Sequence, residues 1–246
     1  FDLNWPVPDQ IPPLHAGAAH VWVATIDQPL AVYFELKSFL SSDELAKAAG
    51  FRNEQARRQF LLGRGLLRKL LGIYLDEHPA ELSFIYGEHG KPLLFHSVRV
   101  FDLQFNVSHA GELVLLGFVR GHQIGVDVEQ MRSISEAEAI AERFFSPDEV
   151  RQLHGAGERE RELFFKIWTR KEALLKCNGA GFGGTPLDPG EATICELQPA
   201  PGYVAAVVIA GSGTSVQAWR WVPEIRSWWN DKADRWISRN NYSSGW

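Results

Sequence analysis

The order of apolar and polar residues lays out most of the elements. Residues 20–26 alternate in character and are rich in β-branched side chains, which predicts a strand. Ser41-Ser42-Asp43-Glu44 has the form of a capping box, with Ser41 as N-cap and Glu44 at the third helical position, so a helix is expected through about Ala49. Over residues 53–71 the apolar positions Phe60, Leu61, Leu67, Leu70 and Leu71 keep a roughly helical period, and Gly72 suits the end of that helix. Residues 82–86 form a short expected strand, followed by a turn at Glu88-His89-Gly90-Lys91-Pro92. A further strand starts at Phe105-Asn106-Val107-Ser108 and turns at Ala110-Gly111. Residues 113–119 and 124–129 are the next strands, and Arg120-Gly121-His122-Gln123 between them is expected to close a hairpin.

The second half repeats this plan. Ser146-Pro147-Asp148-Glu149-Val150 has the form of Ser41-Ser42-Asp43-Glu44-Leu45, with Pro147 at the favoured first helical position. A long helix over residues 159–176 then mirrors the one over 53–71, and strands follow at 191–197, 203–209 and 216–221. The expected fold class is therefore α+β, built as a pseudo-twofold pair of similar α+β halves. Residues 1–121 make the N-terminal half, 122–222 the C-terminal half, and 223–246 a Trp-rich C-terminal extension. A small-molecule cleft is expected between the halves. In the extension, Ile225, Trp228, Trp229 and Trp236 would line one face of a helix docked on the body; a partner-binding surface is the other reading.

Composition narrows the classes. The 246 residues suit one large domain or two small ones, and 45% hydrophobic with 22% charged residues excludes a disordered or low-complexity chain. The formal net charge of -5 argues against a nucleic-acid binder, while leaving room for a local basic patch that takes a phosphorylated small molecule. Two cysteines, Cys177 and Cys195, make no disulfide framework and fit a reducing, cytoplasmic compartment. No apolar run approaches the roughly 18 residues of a membrane span, and no secretory signal pattern opens the chain.

The strongest chemical signal is Ile124-Gly125-Val126-Asp127-Val128-Glu129. On a strand, Asp127 and Glu129 share one face and Val126 and Val128 the other. Two adjacent carboxylates repel, and a divalent cation bound between them removes that cost; oxygen-only ligands suit Mg²⁺. Two solvated acids on an edge strand would give the same pattern. In Trp168-Thr169-Arg170-Lys171-Glu172-Ala173-Leu174-Leu175-Lys176, helical spacing puts Trp168, Glu172 and Lys176 on one stripe with Lys171 beside it. That stripe could present a carboxylate to a metal and ammonium groups to phosphates, or hold a simple Glu172–Lys176 surface pair. Ser108 and His109 end a strand and can hold a phosphate or adenine group. They point to opposite faces and lack a G-x-S-x-G setting, so they form no hydrolase triad. No H-E-x-x-H spacing supports zinc, and Gly179-Ala180-Gly181-Phe182-Gly183-Gly184 follows a helix, where it reads as helix termination. Arg52, Arg57, Arg58, Arg64, Arg68 and Lys69 crowd the first long helix and its approach, and two or three of them at most are expected to bind anions.

Taken in order, Gly90-Lys91-Pro92, Phe105-Asn106-Val107-Ser108-His109, Ile124 to Glu129, Arg143-Phe144-Phe145-Ser146 and Trp168 to Lys176 resemble the motifs of Sfp-type 4'-phosphopantetheinyl transferases. The resemblance covers roughly residues 41–181. It implies coenzyme A bound between the halves with Mg²⁺, or Mn²⁺ in its place. A serine of an apo acyl or peptidyl carrier protein would attack the β-phosphorus, and 3',5'-ADP would leave. By the same resemblance Asp127, Glu129 and Glu172 are the metal ligands. Glu172, or else Glu129, is the base, and Lys176 with Lys171 beside it meets the transferring phosphate. Lys91, Ser108, His109 and an arginine of the first long helix, taken as Arg58, hold the nucleotide end of coenzyme A. Enzymes of this double length act as monomers, without nucleic-acid or membrane partners. The competing reading is another Mg²⁺-dependent phosphoryl-group enzyme, such as a nucleotide-diphosphate hydrolase.

Overall fold

In β1 (Ala18–Thr25), alternate side chains enter two different cores. Trp22 and Ala24 pack among helices, whereas Ala19, Val21 and Val23 face a second sheet. β5 (Leu113–Arg120) divides in the same way, with Val114, Leu116 and Phe118 toward the helices and Leu113, Leu115 and Val119 toward the second sheet. β1 and β5 are antiparallel neighbours inside a four-stranded sheet of order β4-β5-β1-β9. Its edges are β4 (Leu103–Ala110), antiparallel to β5, and β9 (Ser215–Arg220), parallel to β1. The computed structural model describes residues 5–87, 91–95, 102–133, 136–178 and 189–225.

The second sheet has order β6-β8-β7, with β6 (Ile124–Gln130), β7 (Ala192–Leu197) and β8 (Tyr203–Ala210) all antiparallel. Ile124, Val126 and Val128, with Ala205, Val207 and Ile209, close against the first sheet. Each fully buried valine or isoleucine side chain there contributes about 1.5–3 kcal/mol. Gly117 lets the sheets approach, since a Cβ there would lie 2.5 Å from Val126 Cγ1. The outer face of the second sheet, Ala206 and Val208, packs on Ala173, Leu174 and Cys177 of α6 (Glu160–Asn178). α1 (Leu30–Ser38), α2 (Ser42–Ala49) and α3 (Glu54–Leu75) cover the first sheet. α4 (Ala137–Phe144) and α5 (Pro147–His154) pack with α6 beside the second. The order is helices, sheet, sheet, helices, an α+β fold in which each half brings one long helix to one sheet.

Both capping-box serines start helices. At α5, Ser146 Oγ accepts from Glu149 N–H at 3.2 Å and Glu149 Oε2 accepts from Ser146 N–H at 2.7 Å. At α2, Glu44 reaches back to Ser41 N–H at 3.0 Å, while the Ser41 hydroxyl donates to Asp43 instead.

Several expectations are corrected. Residues 113–119 and 124–129 form no hairpin. The chain turns at Gly121, φ 76°, and passes from one sheet to the other, where stacking buries the Ile124, Val126 and Val128 face. The helix expected to end at Gly72 runs to Leu75 and is capped by Asp76 in the left-handed region. Gly72 is needed for packing, because a Cβ there would meet Glu77 O at 2.7 Å. β9 belongs by sequence to the second half and pairs in the first half's sheet. α1 escapes a periodicity reading because Leu30 and Phe34 stand exposed beside buried Val32, Tyr33 and Leu36. No described helix is long and apolar enough to cross a membrane. The expected turn at 88–90, the helix termination at 179–184 and the Trp228–Trp229–Trp236 helix lie outside the described residues.

Candidate active site

The site lies where β4, β6 and α6 meet, and a glycine sets its depth. A Cβ on Gly125 would lie 2.0 Å from Ala173 O and 2.4 Å from Cys177 N, so only glycine lets α6 settle onto β6. With Gly125 under the helix, the neighbouring Asp127 and Glu129 on the same face of β6 meet the stripe of Trp168, Glu172 and Lys176. β4 is tied to β6 from the other side, where Val126 N–H donates to Asn106 Oδ1 at 3.0 Å.

Asp127 is the centre. Its Oδ1 accepts from Lys176 Nζ at 2.6 Å and from Ser108 Oγ at 2.9 Å, and Lys176 Nζ is 3.2 Å from that hydroxyl. Its Oδ2 is buried and has no hydrogen-bond partner. Burial pushes the Asp127 carboxyl up from its ordinary pKa, against the pull of Lys176 and Ser108. Burial, and then the charge of Asp127, raise Glu129 to about 7, while a hydrogen bond from the Trp168 indole works the other way. Glu172 is raised by burial and by Asp127, and lowered by Lys176. Three carboxylates thus share a poorly hydrated space with one ammonium.

The donor set can be tested against the expected Mg²⁺. Among the described residues no three His, Cys, Asp or Glu side chains already form a cage; Lys176 bonds Asp127 Oδ1 and the Trp168 indole bonds Glu129. The orphaned, buried Asp127 Oδ2, flanked by two acids whose pKa values it raises, is nevertheless the kind of hard oxygen donor that a small divalent cation satisfies. The residues fit the ion.

The other expected residues divide. His109 stands at the exposed end of β4, partly walled by protein; that desolvation and then the Lys176 charge lower its pKa. Lys91 reaches the far side of the same helix. Its Nζ donates to Lys176 O at 2.8 Å, a carbonyl at the negative end of α6, and to Ile124 O at 3.4 Å, at the start of β6. Burial lowers its pKa. Lys171 is not brought to the acids. It pairs with Glu149 at 2.8 Å and lies over Phe145, because one residue before Glu172 the helix faces α5. Arg58 is not brought there either, being paired with Glu54 at 3.1 Å and placed over Tyr33. Arg68 and Lys69 are buried and bonded to Glu44 and Glu35, so much of the basic helix is structural. A cavity of about 490 Å³ beside α6, lined by Glu149, Arg170, Lys171 and Ile194 among others, contains none of the three acids. Sequence reasoning missed the roles of Gly125 and Asn106. Their signal was a glycine and an asparagine, residue types depleted in strands, inside two segments that read as strands.

Comparison with known proteins supplies the family. Residues 28–118 match the family described as "4'-phosphopantetheinyl transferase, N-terminal", and residues 123–228 match the "4'-phosphopantetheinyl transferase superfamily". The 4'-phosphopantetheinyl transferase HetI of Nostoc is 38% identical over 85% of this chain and 94% of its own length. The chain belongs to the 4'-phosphopantetheinyl transferases. A putative member from Synechocystis is 39% identical over 67% of this chain and 66% of its own length. The transferase Sfp of Bacillus subtilis is 32% identical over 61% of this chain and 65% of its own. In this chain, Asp127, Ser108 and Lys176 form the polar centre that joins the two matched segments.

Proposed function

We propose that the protein transfers the 4'-phosphopantetheine group of coenzyme A to a serine of an apo acyl or peptidyl carrier protein, releasing 3',5'-ADP. The observation that carries this reading is the buried Asp127, held by Lys176 and Ser108 and flanked by Glu129 and Glu172. Asp127, Glu129 and Glu172 would hold Mg²⁺, or Mn²⁺ in its place. The bound ion would supply counter-charge to the diphosphate and to the leaving group. Glu172 is the base; its raised pKa suits accepting the serine proton, and Glu129 is the alternative. The serine oxygen bonds to the β-phosphorus, and the bond from that phosphorus to the bridging oxygen breaks. The electron pair leaves with 3',5'-ADP, and Lys176 offsets charge on the transferred phosphate.

Lys91, Ser108 and His109 would hold the nucleotide end of coenzyme A; Arg58 of α3 would have to leave Glu54 to join them. Lys171, held by Glu149, has no part in this reading. One chain supplies β4 from the first half and β6 and α6 from the second, so a monomer suffices. The test is intact-protein mass spectrometry of an apo carrier protein incubated with the enzyme, coenzyme A and Mg²⁺. A gain of one phosphopantetheine, lost on chelation, is expected. Release of 3',5'-ADP without any carrier would instead favour a diphosphate hydrolase, and no product of either kind would overturn the reading.

A further inference from the structure

β2 (Ser83–Tyr86) and β3 (Pro92–Phe95) pair only with each other among the described residues. A lone two-stranded ribbon is marginal in water, so its position depends on what its side chains grip. Ile85, Leu93 and Phe95 on one face are exposed. Phe84 and Leu94 on the other face pack on the helical core.

Arg64 of α3 is the unexplained part of that grip. Its side chain is only 10% exposed. The guanidinium lies 5.2 Å from the Phe84 ring, 5.6 Å from Tyr86 and 5.9 Å from Phe60. Its Nε is 3.4 Å from Glu44 Oε1, yet Nη1 is buried with no hydrogen-bond partner. Glu44 has a stronger partner on its other oxygen, although its buried Oε1 has no hydrogen bond and faces Arg64. Arg68 already holds its Oε2 at 2.7 Å, and also binds the carbonyls of Pro79 and Leu82 at the entry to β2. Besides facing Glu44 Oε1, Arg64 adds a stack on Tyr86, at the far end of β2. Tyr86 pairs with Pro92, and Gly87 N–H bonds to Lys91 O at 3.0 Å. Lys91 in turn reaches Lys176 O and Ile124 O beneath the active-site acids.

We infer that Arg64 is a positioning residue: it clamps the Tyr86 end of the ribbon so that Lys91 is held against the C-terminal turn of α6. The inference rests on the reading of Lys91 as a coenzyme A contact. The test is coenzyme A affinity by calorimetry for Arg64→Leu, Tyr86→Ala and Tyr86→Phe, each alone and combined with Lys91→Ala. Thermal melting checks the fold. Loss of a half-buried cation–π stack predicts affinity weakened about 5- to 10-fold in Arg64→Leu and Tyr86→Ala, and retained in Tyr86→Phe. Neither loss should add to that of Lys91→Ala, because both act through Lys91. Tyr86 is 46% exposed, so its variants remain informative if Arg64→Leu folds poorly. If Lys91→Ala weakens binding while Arg64→Leu and Tyr86→Ala do not, or if the losses add in full, the clamp is overturned and the role of Lys91 stands. If Lys91→Ala leaves affinity unchanged, that role falls and the clamp with it.

Discussion

Gly125→Ala places one methyl group under α6. The nearest atoms are main-chain, Ala173 O at 2.0 Å and Cys177 N at 2.4 Å, and neither can rotate away. Ordinary contact begins near 3.4 Å, so α6 must lift by more than about 1 Å to admit the methyl. Lys176 Nζ now stands 2.6 Å from Asp127 Oδ1, and the same lift takes it to about 3.6 Å, where the hydrogen bond is lost. Overpacking against a rigid main chain costs about 3 kcal/mol. Misplacing a reacting group by about 1 Å lowers the rate roughly 100-fold. Urea midpoints measure the first effect, and initial rates of mass gain on an apo carrier protein measure the second. Gly121→Ala is the control. That residue, unlike Gly125, has positive φ, but no atom lies within 4 Å of a new Cβ, so about 1 kcal/mol of stability and no rate should be lost. A Gly125→Ala protein with the parent midpoint would refute the seating argument. A destabilised variant with the parent rate would separate the seat from the chemistry.

Two further outcomes follow from the same contacts. His20 is buried, with Nδ1 2.9 Å from Tyr74 Oη, and burial lowers its pKa to about 4. Because the folded pKa is the lower one, the unfolded chain binds the proton first. Stability is then full above the unfolded value and falls as pH drops toward the folded one. Between pH 7 and pH 5 this group alone should remove about 2 kcal/mol, and His20→Phe should flatten that part of the urea-midpoint profile; an equally steep profile in the variant would assign the loss elsewhere. Lys176→Met leaves Asp127 buried with only Ser108 as partner, which should cost about 1–3 kcal/mol and abolish transfer; an active, equally stable variant would remove Lys176 from the site.

The sequence carried the acids and the helix stripe because strand and helix periods are fixed by covalent geometry. Asp127 and Glu129 had to share a face, and Trp168, Glu172 and Lys176 had to share a stripe. The capping serines were legible for a similar reason, as Ser41 and Ser146 act within four residues of themselves. What was hidden depends on distant segments. Nothing local to residues 113–129 tells whether two adjacent strands pair edge to edge or stack in separate sheets, and burial of the Val126 face decided for stacking. Lys171 and Arg58 were read by type and proximity in sequence. Their directions are set by Glu149 and by Glu54 with Tyr33. Lys91 was legible as a basic residue in a turn, whereas its bond to Lys176 O joins positions 85 residues apart.

Glu149 also fixes the charge inventory of the site. By drawing Arg170 and Lys171 to itself, it leaves Lys176 as the one ammonium of α6 in hydrogen-bond contact with the acids among the described residues. When fully ionised, Asp127, Glu129 and Glu172 carry three negative charges against Lys176 in contact and the Arg132 charge that also acts on Glu129. In the proposed reading, Lys171 released into the cluster would add positive charge and oppose a bound cation. By holding Lys171 away, a helix-capping carboxylate on α5 would favour cation binding at a site it does not itself join.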